Sequence, residues 1–513
     1  VPTYADLNQR HPSYNEQRQR ELEALYEGGE KLEKLYPTLL PRRERERQQR
    51  YETRLKEAQY RNYLGPIIDY FTSMLFVSSP MLKARLAGKD EAVNTGPYWD
   101  AFREDCDRAG TDIDAAFKQL LTNAMVARTG WLRVNQPNDG APTPASAAEF
   151  EDRKLGECWV DVLETCNVLD WDTGEDGRLE WAITHKATAK RNGVSGSRET
   201  ITETWEFLTA EAVETFRISY DKSKRPDAKQ EVPSLGAVTH GFGRVPLVCL
   251  DLPPALWVAN RLRSPQLAHF RKVNAQAWSM AATCYALREY FVGKPDEFEK
   301  QISGPGYEVI LHKDDKAQWS SPDGAHFAAL DVEIKAEKDE IFRVAHQMAL
   351  GVENNAAAVG RSADSKASDM ESTRVVLVAF SRIVKETIEY TLDTISRARG
   401  EEFEWSVEGL DDFAALDIDA FLANLALLKD KVGAIPSKTF AIEANTRVAE
   451  ALLRDLPETT KTIIREEIKV GTTDPAEDAR LEREAAAALF ASPTSGPPNG
   501  TGRPGKTAEP PAA

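Results

Sequence analysis

The chain has 513 residues, 41% of them hydrophobic and 29% charged, with a formal net charge of −17. A length of this size is enough for roughly two to four domains with sizeable cores. The acidic excess argues against a protein whose whole surface grips nucleic acid, because phosphate binding needs Lys and Arg in surplus. Five cysteines (Cys106, Cys158, Cys166, Cys249 and Cys284) form no C-x-x-C pair, which reads as buried, reduced thiols. VPTYADLNQRHPSYNEQ at the start is polar throughout, so no secretion signal is read there. The most apolar runs, 63–80 and 373–384, are short and interrupted by charge, and no membrane span is expected.

In chain order, residues 1–40 are polar and helical in part, closed by Pro37 and Pro41. RRERERQQRYETRLKEAQYRN (42–62) holds eight basic and four acidic residues and runs into YLGPIIDYFTSMLF. Together these predict one helix, solvated in its first half and buried in its second, bent near Gly65-Pro66. A further helical stretch is expected over 97–128. From 129 to 250 the period changes. TGWLRVNQP, ECWVDVLETCNVLDW, RLEWAITHKAT, ETITETWEFLT, ETFRISY and RVPLVCLDLPP are rich in Trp, Val, Ile and Thr, with Gly, Asp and Pro between them. They predict a mostly antiparallel β region of about six strands.

Helix returns over 264–291, starting at Ser264-Pro265. Ala275, Trp278, Ala282 and Ala286 lie on one face of it, with Arg271, Lys272 and Arg288 elsewhere. A turn-rich insert follows, with one strand at YEVILH, then a second long helix over 327–352. ENNAAAVGRSADSKASD (353–369) reads as a loop. A third long helix spans about 370–399, with Leu377, Phe380, Val384, Ile388, Leu392 and Ile395 on one face. Residues 401–490 carry twenty acidic and ten basic residues and read as short helices parted at Gly409, Gly433-Pro436 and Gly471-Pro475. The tail, 491–513, is rich in Pro, Gly, Ser and Thr and reads as disordered. No internal repeat at solenoid periods is found.

That tail contains GTGRPGKT (500–507), which matches the phosphate-loop pattern G-x-x-x-x-G-K-[ST]. A working loop needs a strand before it and a helix after it. SPTSGPPN precedes this one and only AEPPAA follows, so the match is read as chance. Seven histidines are scattered without H-x-x-x-H or H-E-x-x-H spacing, and no metal site is expected. No G-x-S-x-G elbow and no strand-linked G-x-G-x-x-G occurs. Asp314-Asp315 and Asp411-Asp412 read as solvated surface. The chain is therefore expected to be no enzyme and to need no cofactor.

The ordered set of segments is more telling than any single motif. It comprises HPSYNEQ (11–17), EGGEKLEKLYPTLLPRRERERQQRYETRLKEAQYRNYLGPIIDYFTSMLF (27–76) and the strand entry TGWLRVNQP. The helix–insert–helix comes next, then MALGVENNAAAVGRSADSKASDMESTRVVLVAFSRIVKETIEYTL (348–392) and Gly400. In this order it resembles the portal proteins of tailed bacteriophages, the head-to-tail connectors, and more closely a branch known only as a phage family of unknown function. The resemblance covers about residues 10–400.

The resemblance implies an α+β, portal-like ring subunit, usually in twelve copies at one capsid vertex of the virion, assembled in the host cytoplasm. It implies a wing (1–263 and 370–400) and stem helices (264–291 and 327–352). A clip (292–326), a tunnel loop (353–369) and a helical crown (401–490) complete the subunit. Implied partners are further copies of the chain, double-stranded DNA in the channel, the terminase large subunit, the head–tail adaptor, and the major capsid and scaffolding proteins.

A strongly negative channel wall repels a duplex and avoids the many phosphate contacts that would stall it, while sparse cations align it. The channel candidates are Arg361 and Lys366 in the tunnel loop, Lys335, Lys338 and Arg343 on the second stem helix, and Lys313 and Lys316 in the clip. Asn354, Asn355, Gly360 and Ser362 belong to the tunnel loop. Each cation is equally readable as ordinary surface charge. The competing reading is a non-enzymatic helical scaffold or host-interaction protein, monomeric or dimeric.

Overall fold

The computed structural model describes residues 1–77, 79–86, 92–93, 95–137, 147–192, 198–283, 287–291, 316–320, 325–350, 363–410, 442, 445–446, 449 and 458–471. Its chain divides into two units, Val1–Phe413 and Ala414–Ala513. YEVILH, the phosphate-loop match and the tail lie outside the described residues.

The first unit opens with short helices: α1 (Tyr4–Leu7), α2 (Glu16–Glu27), α3 (Gly29–Glu33) and α4 (Tyr36–Leu39). Thr3 and Asp6 form a reciprocal capping box on α1, and Asn15 Oδ1 accepts from Arg18 N–H to cap α2. Then come α5 (Gln48–Lys56) and α6 (Leu64–Leu75). The single helix expected here is in fact two. Pro66 is no bend point but lies in the first turn of α6, where its missing N–H leaves no bond unmade. The break at 57–63 has a tertiary cause: side-chain amides of a distant helix hydrogen-bond the backbone of this irregular segment.

β1 (Met81–Leu86) and β2 (Ala92–Val93) follow, and the sequence reading gave neither. The helical stretch expected over 97–128 is split into α7 (Pro97–Glu104) and α8 (Ile113–Ala127). Asp105 and Asp107 carboxylates accept from the N–H groups of Ala109, Gly110 and Thr111, stabilising a turn in which Gly110 has φ +91°. Asp112 then caps α8.

The β region is antiparallel, as expected, but among the described residues has eight strands in two sheets. They are β3 (Thr129–Asn135), β4 (Trp159–Leu163), β5 (Val168–Thr173), β6 (Leu179–Asn192), β7 (Arg198–Thr209), β8 (Ala212–Asp221), β9 (Ser234–Thr239) and β10 (Leu247–Asp251). A short helix α9 (Ala147–Asp152) lies between β3 and β4. One sheet has the order β10-β3-β4 and the other β5-β6-β7-β8-β9. β3 is laid directly on α8: a Cβ at Gly130 would stand 2.4 Å from the Leu120 carbonyl oxygen.

The next helix, α10, runs Val258–Thr283 rather than over 264–291. It starts earlier because Val258, Ala259 and Leu262 are fully buried and extend the face carried on by Phe270 and Val273. Pro265 sits inside it and removes one backbone hydrogen bond, which the burial of that face offsets. Leu287–Phe291, expected to be helical, is strand β11, paired antiparallel with β12 (Lys316–Ser320). Helix α11 (Ala325–Leu350) falls within two residues of expectation.

Helix α12 (Ala363–Arg399) begins inside the expected loop, so 363–369 is helical. Its predicted stripe holds: Leu377, Phe380, Val384, Ile388, Leu392 and Ile395 are all buried. Gly400 (φ +72°) stops it in the left-handed conformation that favours glycine. Strand β13 (Phe403–Glu408) returns to pair antiparallel with β1, which places it in the first unit and not in a helical crown. The main core gathers Leu25, Ile68, Phe117, Phe270 and Phe380 from five helices, each such side chain contributing about 1.5–3 kcal/mol. The unit is thus mixed α and β. In the second unit the one long described helix is α13 (Glu458–Gly471), with Ile463 and Val470 exposed.

Candidate functional site

α10 and α11 are 26 residues each and pack side by side. They run antiparallel. His269 of α10 and Phe342 of α11 meet the same Tyr63 ring, and one turn on Lys272 Nζ reaches back to Glu333 (2.7 Å) and Glu337 (2.6 Å). Ile334, Ile341 and Ala345 form the buried seam of α11. The hairpin β11–β12 lies in the connection between the two helices.

Three expected cations share the solvent side of α11. Lys335 is bound to Asp331 at 2.7 Å, and Arg343 to Glu340, so each is neutralised on its own helix. Such exposed pairs contribute little to stability, but they lower the charge offered to a passing polyanion. Lys338 differs: its Nζ stands 6.0 Å from the Tyr63 ring centroid and makes no ion pair among the described residues. Lys316 is exposed on β12, opposite Phe291. Lys366 lies in the first turn of α12, a correction to its placement in a loop, since the helix starts at Ala363. Arg361, Lys313, Asn354, Asn355, Gly360 and Ser362 fall outside the described residues.

The sequence reading missed the segment that positions Tyr63. Asn274 Oδ1 accepts from Gln59 N–H (2.8 Å) while its Nδ2 donates to Gln59 C=O (3.1 Å). Gln266 repeats the device: Oε1 accepts from Tyr63 N–H (3.3 Å) and Nε2 donates to Arg61 C=O (2.8 Å). Two carboxamides eight residues apart thus satisfy four backbone groups of 59–63. Both are buried, and their interruption of an apolar helix face is the signal that could have revealed them.

His269 sits beside this junction, 1% exposed, with neither ring nitrogen hydrogen-bonded among the described residues. Burial, then the nearby Arg61 charge, depresses its pKa below the ordinary histidine value. Exposed Arg61, Lys338 and the Tyr63 ring therefore form a small cationic and aromatic surface where α10, α11 and the segment before α6 meet.

Elsewhere, an open groove of about 1150 Å³ runs between α12 and the β5–β6 turn, lined among others by Arg178, Leu247, Val378, Arg382 and Tyr390. Burial pushes the thiols of Cys106 and Cys158 up to about 12, so neither offers a thiolate at neutral pH. A buried carboxylate, Glu203, accepts from Tyr4 and Tyr220 hydroxyls and pairs with His185 Nε2 at 3.1 Å. This network ties α1 to the five-stranded sheet. Among the described residues, no group of three or more His, Cys, Asp or Glu could hold a metal ion, and no helix is long and apolar enough to cross a membrane.

No protein-family model matches the chain, and no curated protein matches it. Solved structures to which it is similar include the virion of a native gene transfer agent particle, at 14% identity and TM-score 0.36, covering 74% of this chain and 89% of that one. The neck of the empty particle, computed with C6 symmetry, matches at 13% identity and TM-score 0.37, covering 75% and 90%. The neck of the native particle, computed with C12 symmetry, matches at 14% and 0.33, covering 77% and 90%.

Proposed function

We propose that the chain is the subunit of an oligomeric ring at one capsid vertex of a tailed-phage-like particle, the conduit for double-stranded DNA in packaging and ejection. The observation that carries this reading is the order α10–β11–β12–α11–α12. Two antiparallel helices, about 39 Å long at 1.5 Å per residue, have an antiparallel strand pair between them in the chain and are followed by a long helix with a buried stripe. That is the order of stem, clip, stem and wing implied by the sequence resemblance.

Physical chemistry supports the same role. A net charge of −17 per copy repels a duplex, and pairing of Lys335 and Arg343 with their own carboxylates weakens any phosphate grip further. Lys338 is then the α11 cation best able to meet phosphate. The hairpin, with exposed Lys316 and Phe291, is the surface we assign to the terminase large subunit and the head–tail adaptor. Major capsid and scaffolding proteins surround the rest. The subunit acts by shape and charge and catalyses no reaction.

Negative-stain imaging of the purified full chain, with its mass in solution, tests the reading. The expected result is an annulus with a central hole and a mass of many subunits. A chain that stays monomeric or dimeric at every concentration, together with particles lacking an annulus at the vertex, overturns it.

A further inference from the structure

The five-stranded sheet is electrically polar. β6 is 14 residues long, about 45 Å at 3.3 Å per residue, and its two ends carry opposite charge. At its C-terminal end the register places Asn192 opposite Arg198 and Thr200 opposite Asp221, and Lys222 N–H donates to Glu199 C=O. The register positions of Lys190, Arg191, Arg198 and Lys222, with Lys224 two residues beyond, therefore fall there against two carboxylates, Glu199 and Asp221, and Lys222 Nζ pairs with Glu199 at 2.7 Å. Lys190, Lys222 and Lys224 are exposed, while Arg225 reaches back to the Tyr4 hydroxyl.

At the other end, the turn between β5 and β6 and the turn between β7 and β8 lie together, since Thr173 faces Leu179 and Trp181 faces Thr209. Asp172, Glu175, Asp176, Glu180 and Glu211 are exposed here, with Arg178 the one cation of these two turns. The facing wall of the adjoining groove is balanced, Arg374 and Arg382 with Glu386 and Asp251.

We infer that the basic end of this sheet docks on the acidic end of the same sheet in a second copy, head to tail. Copies of a chain with net charge −17 repel one another, so close association needs local surfaces of opposite sign. A head-to-tail contact also needs two different patches on each copy, and it closes into rings when the rotation allows. The two sheet ends meet both needs. Nucleic acid would use the basic end but would leave the acidic end without a role, so a second copy is the occupant that accounts for both. The inference rests on the ring reading for the number of copies, not for the contact itself.

A charge swap in the full chain tests it. One variant reverses the basic end (Lys190→Glu, Lys222→Glu, Lys224→Glu) and the other the acidic end (Glu175→Lys, Asp176→Lys, Glu180→Lys). Sedimentation should show that each alone associates about tenfold or more weakly than the parent chain. Mixed in equal amounts they should recover association, because each then finds the opposite sign at both ends. Recovery also proves that both variants fold. Raising salt to about 0.5 M should weaken the parent contact.

If the mixture associates no better than the separate variants, or if each variant associates like the parent, the contact is wrong. It is equally wrong if reversal at the basic end abolishes duplex binding and leaves self-association intact, or if the parent chain never associates. Salt-sensitive open chains or dimers that the swap rescues would uphold the contact while overturning the ring.

Discussion

Asn274 hydrogen-bonds both the N–H and the C=O of Gln59, 215 positions earlier in the chain, and so stands in for a neighbouring strand. Its Nδ2 also donates to Phe270 C=O at 2.7 Å, which fixes the amide against its own helix. With Gln266 it satisfies backbone groups of residues 59–63, which are non-helical although local charge and composition favour helix.

Asn274→Ala should therefore lower stability by about 1–3 kcal/mol, the usual cost of leaving part-buried backbone groups unpaired. Urea unfolding checks the magnitude, and hydrogen exchange checks the place. The Gln59 amide should exchange faster while amides of β6 and β7 are unchanged.

His269 makes stability sensitive to acid. Its pKa in the folded chain is depressed by burial, so the unfolded chain binds more protons as pH falls below about 6.5. Stability should accordingly be full above that pH and decline below it. His269→Phe keeps the packing against Tyr63 and should flatten part of that decline, read as the slope of the urea midpoint between about pH 7 and 5. His185 and His240 are depressed by burial as well and should account for much of the remaining slope.

Lys338→Ala should weaken binding of a short duplex more than Lys335→Ala or Arg343→Ala, because the last two cations are already paired. A salt titration followed by fluorescence anisotropy reads this directly. Loss of one phosphate contact per copy shallows the log–log slope by about 0.9. Equal slopes for all three variants would remove Lys338 from its distinct place.

Gly130→Ala tests the seat of β3 on α8. A methyl group 2.4 Å from the Leu120 carbonyl oxygen cannot be accommodated without moving backbone. The expected cost is about 2 kcal/mol or more, read from thermal or urea unfolding. Loss of near-ultraviolet signal from the neighbouring Trp131 should accompany it.

What the sequence made legible follows from period and length. The stripe Leu377 to Ile395 repeats often enough to fix α12, and runs such as ETITETWEFLT read clearly as strands. Short elements whose partners are far away were not legible. β1 and β13 have meaning only when Met81 faces Glu408. The end of α10 was misplaced because LREYF suits a helix or a strand alone, and only its pairing with KAQWS decides. At the site, the cations on α11 were visible as residue types. Their neutralisation by Asp331 and Glu340 follows from helical spacing, but the role of Tyr63 and Arg61 depends on the amides of Gln266 and Asn274.

The bond between β1 and β13 has a consequence for synthesis. Lys83 and Glu408, an ion pair on those two strands, are 325 positions apart, so β1 waits with one edge bare until residues 403–408 have left the ribosome. Such long-range closure is slow, and an unpaired edge invites pairing with another nascent chain. Truncation anywhere before residue 403 should therefore give an aggregating product rather than a smaller soluble one.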